Sequence, residues 1–150
     1  MNHLDAMTWP EVAPVASASV VAVPIGSTEQ HGPHLPLGTD TAVATALCAR
    51  LARRCPGVVV APALPYGSSG EHAGFAGTVS IGSEALTLVA VELGRSLDAF
   101  AGVVFVSAHG GNTGALAEAV RTLAVEGRDV LLWSPRVAAG DAHAGRTETG

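Results

Sequence analysis

The chain contains no lysine. Its eight basic side chains are all arginines, set against thirteen acids, for a formal charge of −5. That balance supplies no basic stripe and argues against a nucleic-acid partner. It also removes the lysine amine from the catalytic repertoire. Charged residues make up only 14% of the chain and apolar residues 48%, the reverse of a disordered composition. Cysteine is nearly absent. Cys48 and Cys55 are too few for a disulfide framework and lack CxxC spacing, so both read as small apolar residues. Every long apolar run is broken by Gly, Pro, Ser or charge, which excludes a membrane-spanning helix. Residues 1–10 lack the arginine-led apolar stretch of a signal peptide, and a cytoplasmic location is expected. No nucleophile elbow and no phosphate- or dinucleotide-binding glycine motif is present.

What is present reads as one domain over residues 1–150, long enough to bury about 70% of its unfolded surface. Val20–Ile25, Val58–Ala61, Val103–Val106 and Val130–Trp133 are short β-branched or apolar runs, the pattern of buried strands. Between them the helix period runs over Thr41–Arg54, over a segment that Ser83 caps and that carries Leu86, Val89, Ala90, Leu93, Leu97 and Phe100 on one face, and over Gly114–Glu126. This alternation predicts an α/β fold: a three-layer α/β/α sandwich with a mainly parallel sheet. No element follows the fourth strand, so the domain reads as incomplete at its C-terminus. A mean hydropathy of +0.37 adds the expectation of apolar surface that a subunit interface or further chain covers.

Ligands of such sheets bind beyond the carboxyl ends of the strands. Five of the six histidines, all but His3, follow strands at that edge. Glu29 and His31, two apart, point the same way in extended chain and form either half of a divalent-metal site or a polar turn. Asp40 is a ligand or the cap of the helix that follows. His109 is a ligand or a satisfied core histidine. Gly110 and Gly111 offer close backbone approach and free amides to an oxyanion, or simply form a tight turn capped by Asn112. The loop from Tyr66 to Thr78 has glycines at 67, 70, 74 and 77, which predict mobility. Its Glu71, His72 and Phe75 are the groups with the chemistry or bulk to meet a substrate.

Three blocks carry a resemblance: Gly26–Asp40 (GSTEQHGPHLPLGTD), Ala108–Asn112 (AHGGN) and His143–Thr149 (HAGRTET). Together they resemble the creatininase (creatinine amidohydrolase) family, and the order and spacing agree over essentially the whole chain. Tyr66–His72, Phe75–Thr78 and Gly140–Thr149 are similar to the loops of its mycofactocin-system subgroup.

The resemblance implies a creatininase-like metallohydrolase of which this chain is the N-terminal part. It implies two divalent ions per subunit, zinc first, with iron(II) or manganese(II) compatible with the same ligand types. Carried over position by position, Glu29, His31, Asp40, His109 and Glu148 match metal ligands, with Asp40 as the bridge. Water activated between the ions attacks an amide carbonyl, and His143, matching the catalytic histidine, hands a proton to the leaving amine. Gly110, Gly111, His72, Phe75 and Arg146 are expected to face the substrate or its oxyanion. The subgroup implies a peptide substrate, a modified precursor peptide that loses a C-terminal Val-Tyr dipeptide, and the family implies a hexamer-like homo-oligomer. Two departures weigh against creatinine. Gly111 stands where creatininase proper has a glutamate, which leaves Glu148 to complete the second site, and Ala142 stands where it has a glutamate before the catalytic histidine. A hydrolase of a small cyclic amide or formamide is the alternative. A shortened metal-binding protein without catalysis is the alternative of another class.

Overall fold

The structure, a computed structural model, describes residues 2–135. Five strands form one sheet: β1 (Asn2–His3), β2 (Val20–Ile25), β3 (Val58–Val60), β4 (Gly102–Ser107) and β5 (Val130–Trp133). Their order is β1-β3-β2-β4-β5, and every pairing is parallel. The helices α2 (Thr39–Arg54), α3 (Gly82–Ser96) and α4 (Thr113–Val125) connect the strands, and a single turn, α1 (Trp9–Val12), precedes β2.

Alternation along the strands decides which helix covers which face. Val21, Val23, Ile25, Val103 and Phe105 point to one side, where they bury Leu86 and Ala90 of α3 and Leu116, Ala119 and Leu123 of α4. Ala22, Val58, Val60 and Val106 point to the other, against Cys48, Leu47 and Leu51 of α2. The three expected layers are therefore present. The second face is incompletely covered: Leu47, Leu51, Val104, Val106, Leu132 and Trp133 line an open apolar groove of about 530 Å³.

The four expected strands and three expected helices form, all within about two residues of their expected bounds except the end of α3, which stops at Ser96 rather than reaching Phe100; Leu97 and Phe100 pack against the core from beyond the helix. Two elements were not expected. β1 is two residues long and α1 four, too short for either to show a period. α1 is fixed locally, by Glu11, whose carboxylate accepts from the Thr8 N–H and hydroxyl at 2.7 Å each. The cap expected at Ser83 and the caps offered as alternatives at Asp40 and Asn112 do not form. α3 starts at Gly82, at φ +78°, with no side-chain cap, and the Ser83 hydroxyl instead lies 2.8 Å from that of Ser68. Asn112 precedes α4 without capping it. Gly38, not Asp40, is the N-cap residue of α2.

The strand order creates a switch point. From β2 the chain crosses to β3 on one side, and from β4 it crosses to β5 on the other, while β2 and β4 are neighbours. The loops that leave β2 and β4 part there and open a crevice at the strands' carboxyl ends. Gly26 sets its depth. A Cβ on Gly26 would collide with the backbone and hydroxyl of Thr41, so α2 begins in direct contact with the end of β2 and delivers Asp40 beside Ser27. Gly26→Ala is expected to lower stability by about 3 kcal/mol through this overpacking and to weaken cation binding at Asp40. Urea unfolding and metal titration check both, and an unchanged unfolding midpoint would mean that α2 has room to move.

Candidate metal centre

Glu29, His31 and Asp40 come from the segment after β2 and the first turn of α2, and His109 follows β4. All four are buried, at 1, 7, 8 and 7% exposure. Charged groups are seldom buried unless paired or bound to metal. Here they face one another. Asp40 divides its two oxygens: Oδ1 is 2.9 Å from His31 Nε2, and Oδ2 is 3.3 Å from His109 Nδ1 and accepts the Ser27 hydroxyl at 2.6 Å. Glu29 Oε1 lies 3.0 Å from His109 Nδ1. Glu29 Oε2 is buried and has no hydrogen-bond partner.

Each imidazole is oriented from behind, as metal-binding histidines are. His31 Nδ1 donates to the Glu29 carbonyl at 3.1 Å, which turns Nε2 toward Asp40. His109 Nε2 donates to the Ser68 carbonyl at 2.9 Å, which turns Nδ1 toward Glu29 and Asp40. Burial works against charge on every member, but the partners outweigh it. His109 is pushed up to about 10, chiefly by Asp40 and Glu29, and His31 is raised by Asp40. The Glu29 carboxyl is lowered by His109, and that of Asp40 by His109, Ser27 and His31. Protons on imidazoles thus sit between carboxylates where a cation would meet the same donors.

The residues fit a metal. Glu29, His31 and Asp40 each place a donor atom within 4.8 Å of the others, and so do Glu29, Glu71 and His109. The orphaned Glu29 Oε2 is a buried acceptor for which a cation supplies the missing partner. The mixture of carboxylate oxygen and imidazole nitrogen suits zinc, manganese or iron(II).

His72 lies at the rim. The Gly32 N–H donates to Gln30 Oε1 at 2.8 Å, so the Gln30 NH2 faces His72 Nδ1 at 2.9 Å. His72 therefore carries its proton on Nε2, 3.6 Å from Glu29 Oε1. Phe75 stands beyond it, ring centroids 6.1 Å apart, and is 46% exposed. His34 is exposed and joins nothing. Gly110 and Gly111 form a 3-10 turn with Asn112 directly above the end of β4. His143, Arg146 and Glu148 lie outside the described residues.

Ser27, Gln30 and the Ser68 carbonyl escaped the sequence reading, because serine, glutamine and a main-chain oxygen carry no motif of their own. The expected mobility of the 66–78 loop does not fit its packing. A Cβ on Gly67 would strike the Asn112 side chain and come 2.7 Å from the Gly26 carbonyl. The loop is also pinned by Val79 N–H to Thr28 O at 2.9 Å and Ile81 N–H to Gly67 O at 3.0 Å. Gly67 serves close approach and Gly77 takes a positive φ of +93° beside the Leu37 side chain, whereas a Cβ at Gly70 or Gly74 would meet nothing within 4 Å.

The family model for creatininase, described as creatinine amidohydrolase, matches residues 5–150. A mycofactocin precursor peptide peptidase of Mycobacterium tuberculosis is 52% identical over 147 residues, 91% of this chain and 58% of the relative. A creatinine amidohydrolase of Pseudomonas putida is 38% identical over 98 residues, 61% of this chain and 37% of the relative. Among solved structures, a manganese form of creatininase superposes with a TM-score of 0.78 and a variant of Zn-Zn type with 0.77, each at 30% identity over 88% of this chain and 57% of theirs. The chain thus spans a little over half the length of the mycobacterial relative. A family match over nearly every residue, and identity above one half with a relative across nine-tenths of the sequence, leave one conclusion: the chain belongs to the creatininase family.

Proposed function

We propose that this chain carries the centre of a dinuclear metal-dependent peptidase that releases a C-terminal Val-Tyr dipeptide from the mycofactocin precursor peptide. The observation that carries the dinuclear reading is the divided carboxylate of Asp40, one oxygen toward His31 and the other toward His109. A carboxylate so placed would offer one oxygen to each of two cations. The identity to peptidase-named relatives supports the peptide substrate. Creatinine is less well supported, since the relative named for it matches less of the chain.

Two divalent cations, zinc first and iron(II) or manganese(II) next, would supply Lewis acidity and lower the pKa of water. The protein's own groups do the rest. Glu29, His31, Asp40 and His109 would hold the cations, with Glu148 added from the C-terminal motif. Ser27 and the Ser68 and Glu29 carbonyls fix the orientation of those ligands. The Gly110 and Gly111 amides face the carbonyl oxygen of the scissile bond. His72, held by Gln30, and Phe75 form the wall for the terminal carboxylate and the tyrosine ring, with Arg146 as a second anion partner. His143 gives its proton to the leaving amine. The open groove beside β5 has the apolar lining that a subunit interface or further chain would cover, and sedimentation velocity reads a homo-oligomer directly.

The test is mass spectrometry of a precursor peptide ending in Val-Tyr, incubated with the metal-loaded chain, with creatinine as the rival substrate. Loss of the dipeptide mass is expected. Turnover of creatinine with the peptide left intact would overturn the reading. His143→Ala should keep its metals while turnover falls by about 10²-fold or more. Metal content falling in parallel with rate would make His143 a ligand instead.

A further inference from the structure

Glu71 belongs to the second donor group but holds no role in the proposed mechanism. Its position says more. It sits on the single 3-10 turn Gly70–His72, where the Ala73 N–H bonds to the Gly70 carbonyl at 3.2 Å, and its half-exposed carboxylate reaches inward until Oε1 is 3.4 Å from His109 Nε2. Among the described residues this is its one ion pair. With Glu29 and His109 it places three donors within 4.8 Å of one another.

One feature points to a ligand there, and a second shows how the Glu71 carboxylate keeps its place. The first is Glu29 Oε2, on a side chain only 2% exposed, without a hydrogen-bond partner and belonging to the same three-residue group. The second is Gly111. A Cβ at that position would strike His109 Nε2, come 2.5 Å from the Ser68 carbonyl and come 2.6 Å from Glu71 Oε1. The backbone of residue 111 is therefore in contact with the Glu71 carboxylate, and only glycine leaves that carboxylate its place. A side chain at 111 and the carboxylate of Glu71 compete for one volume beside His109.

We propose that Glu71 is a metal ligand, closing a cation position with Glu29 and His109. The proposal rests on the metal-centre reading above and not on the identity of the substrate. The rival role is an outer one, in which Glu71 shares the His109 Nε2 proton with Ser68 and never touches the ion. Outer partners of that kind cost about 10- to 100-fold in metal affinity when removed, so affinity alone does not separate the two roles and the coordination sphere must be read as well.

The experiment titrates the 150-residue chain, and its Glu71→Gln and Glu71→Asp variants, with Zn2+ and with Co2+. Zinc is read by stoichiometry and competition with a chelator, and cobalt by its visible d–d bands. Glu71→Gln is expected to weaken one cation position by about 100-fold or more, beyond the outer-partner range, and to change the Co2+ bands because an oxygen donor leaves the sphere. Glu71→Asp should recover part of both. Unchanged Co2+ bands in Glu71→Gln would overturn the proposal, whatever happens to KM, and so would a parent chain that takes up no cation. If the parent binds metal but leaves the Val-Tyr peptide whole, the peptidase reading fails and the ligand assignment is judged on its own spectra.

Discussion

Asp40→Ala is expected to release more metal than any other single substitution at the centre. Its two oxygens face different imidazoles, Oδ1 toward His31 at 2.9 Å and Oδ2 toward His109 at 3.3 Å. On the dinuclear reading proposed above, removing it would take a donor from both cation positions at once. Glu29→Ala, by contrast, takes donors whose nearest imidazole is His109 and leaves the His31–Asp40 pair standing. Elemental analysis should find Asp40→Ala nearly empty and Glu29→Ala partly loaded. Hydrolysis should fall by about 10³-fold or more in Asp40→Ala, the loss of several kcal/mol of transition-state stabilisation. Asp40→Asn separates charge from shape. It preserves the volume and an acceptor for the Ser27 hydroxyl but lacks the second anionic oxygen, so it too should fail to hold two ions. Full double occupancy in Asp40→Ala would exclude the bridge.

The residues that make this centre were largely legible before any coordinates, for a definite reason. Glu29, His31, Asp40 and His109 are polar groups placed immediately after apolar strands, and parallel topology sends all such positions to one edge. The ambiguity at Asp40 was equally physical. A carboxylate two residues past Gly38 suits a helix cap as well as a ligand site, and only the contact of Gly26 with Thr41 reveals that α2 starts too close to β2 for Asp40 to face solvent. Glu71 was legible only as a loop acid. Forty residues separate it from Gly111, and no local pattern reports that the two share a volume. The same holds for the loop from Tyr66 to Thr78: counting glycines suggested motion, whereas Gly67 is required by the side chain of Asn112, forty-five positions further on. β1 and α1 were invisible because two strand residues and one helical turn are shorter than the periods that announce them.

Asn112 is where that distant packing has its largest expected consequence for stability. Its side chain is fully buried and ties three segments together. Oδ1 accepts the Ser68 N–H at 2.9 Å, and Nδ2 donates to the Gly26 carbonyl at 2.9 Å and, more weakly, to the Ser107 hydroxyl at 3.4 Å. The ends of β2 and β4 and the loop over the crevice are thus held by one amide. Asn112→Ala leaves the Ser68 N–H and the Gly26 carbonyl buried without their partner, at about 1–3 kcal/mol for each unsatisfied group. A loss of about 3 kcal/mol or more should appear as a fall in Tm on the order of 10 °C for a chain of this length. The damage should also reach the metal. Ser68, once released, no longer presents its carbonyl to His109 Nε2, and the ring loses the partner that keeps Nδ1 turned toward Glu29 and Asp40. Asn112→Ala should therefore bind Zn2+ about tenfold or more weakly at temperatures where it remains folded, although Asn112 itself touches no ion. Calorimetric unfolding and zinc titration on the same sample decide the matter. An unchanged Tm would mean that water satisfies the two orphaned groups. A lowered Tm with parent-like zinc affinity would show that the loop can loosen while Glu29 and Asp40 alone keep His109 in place.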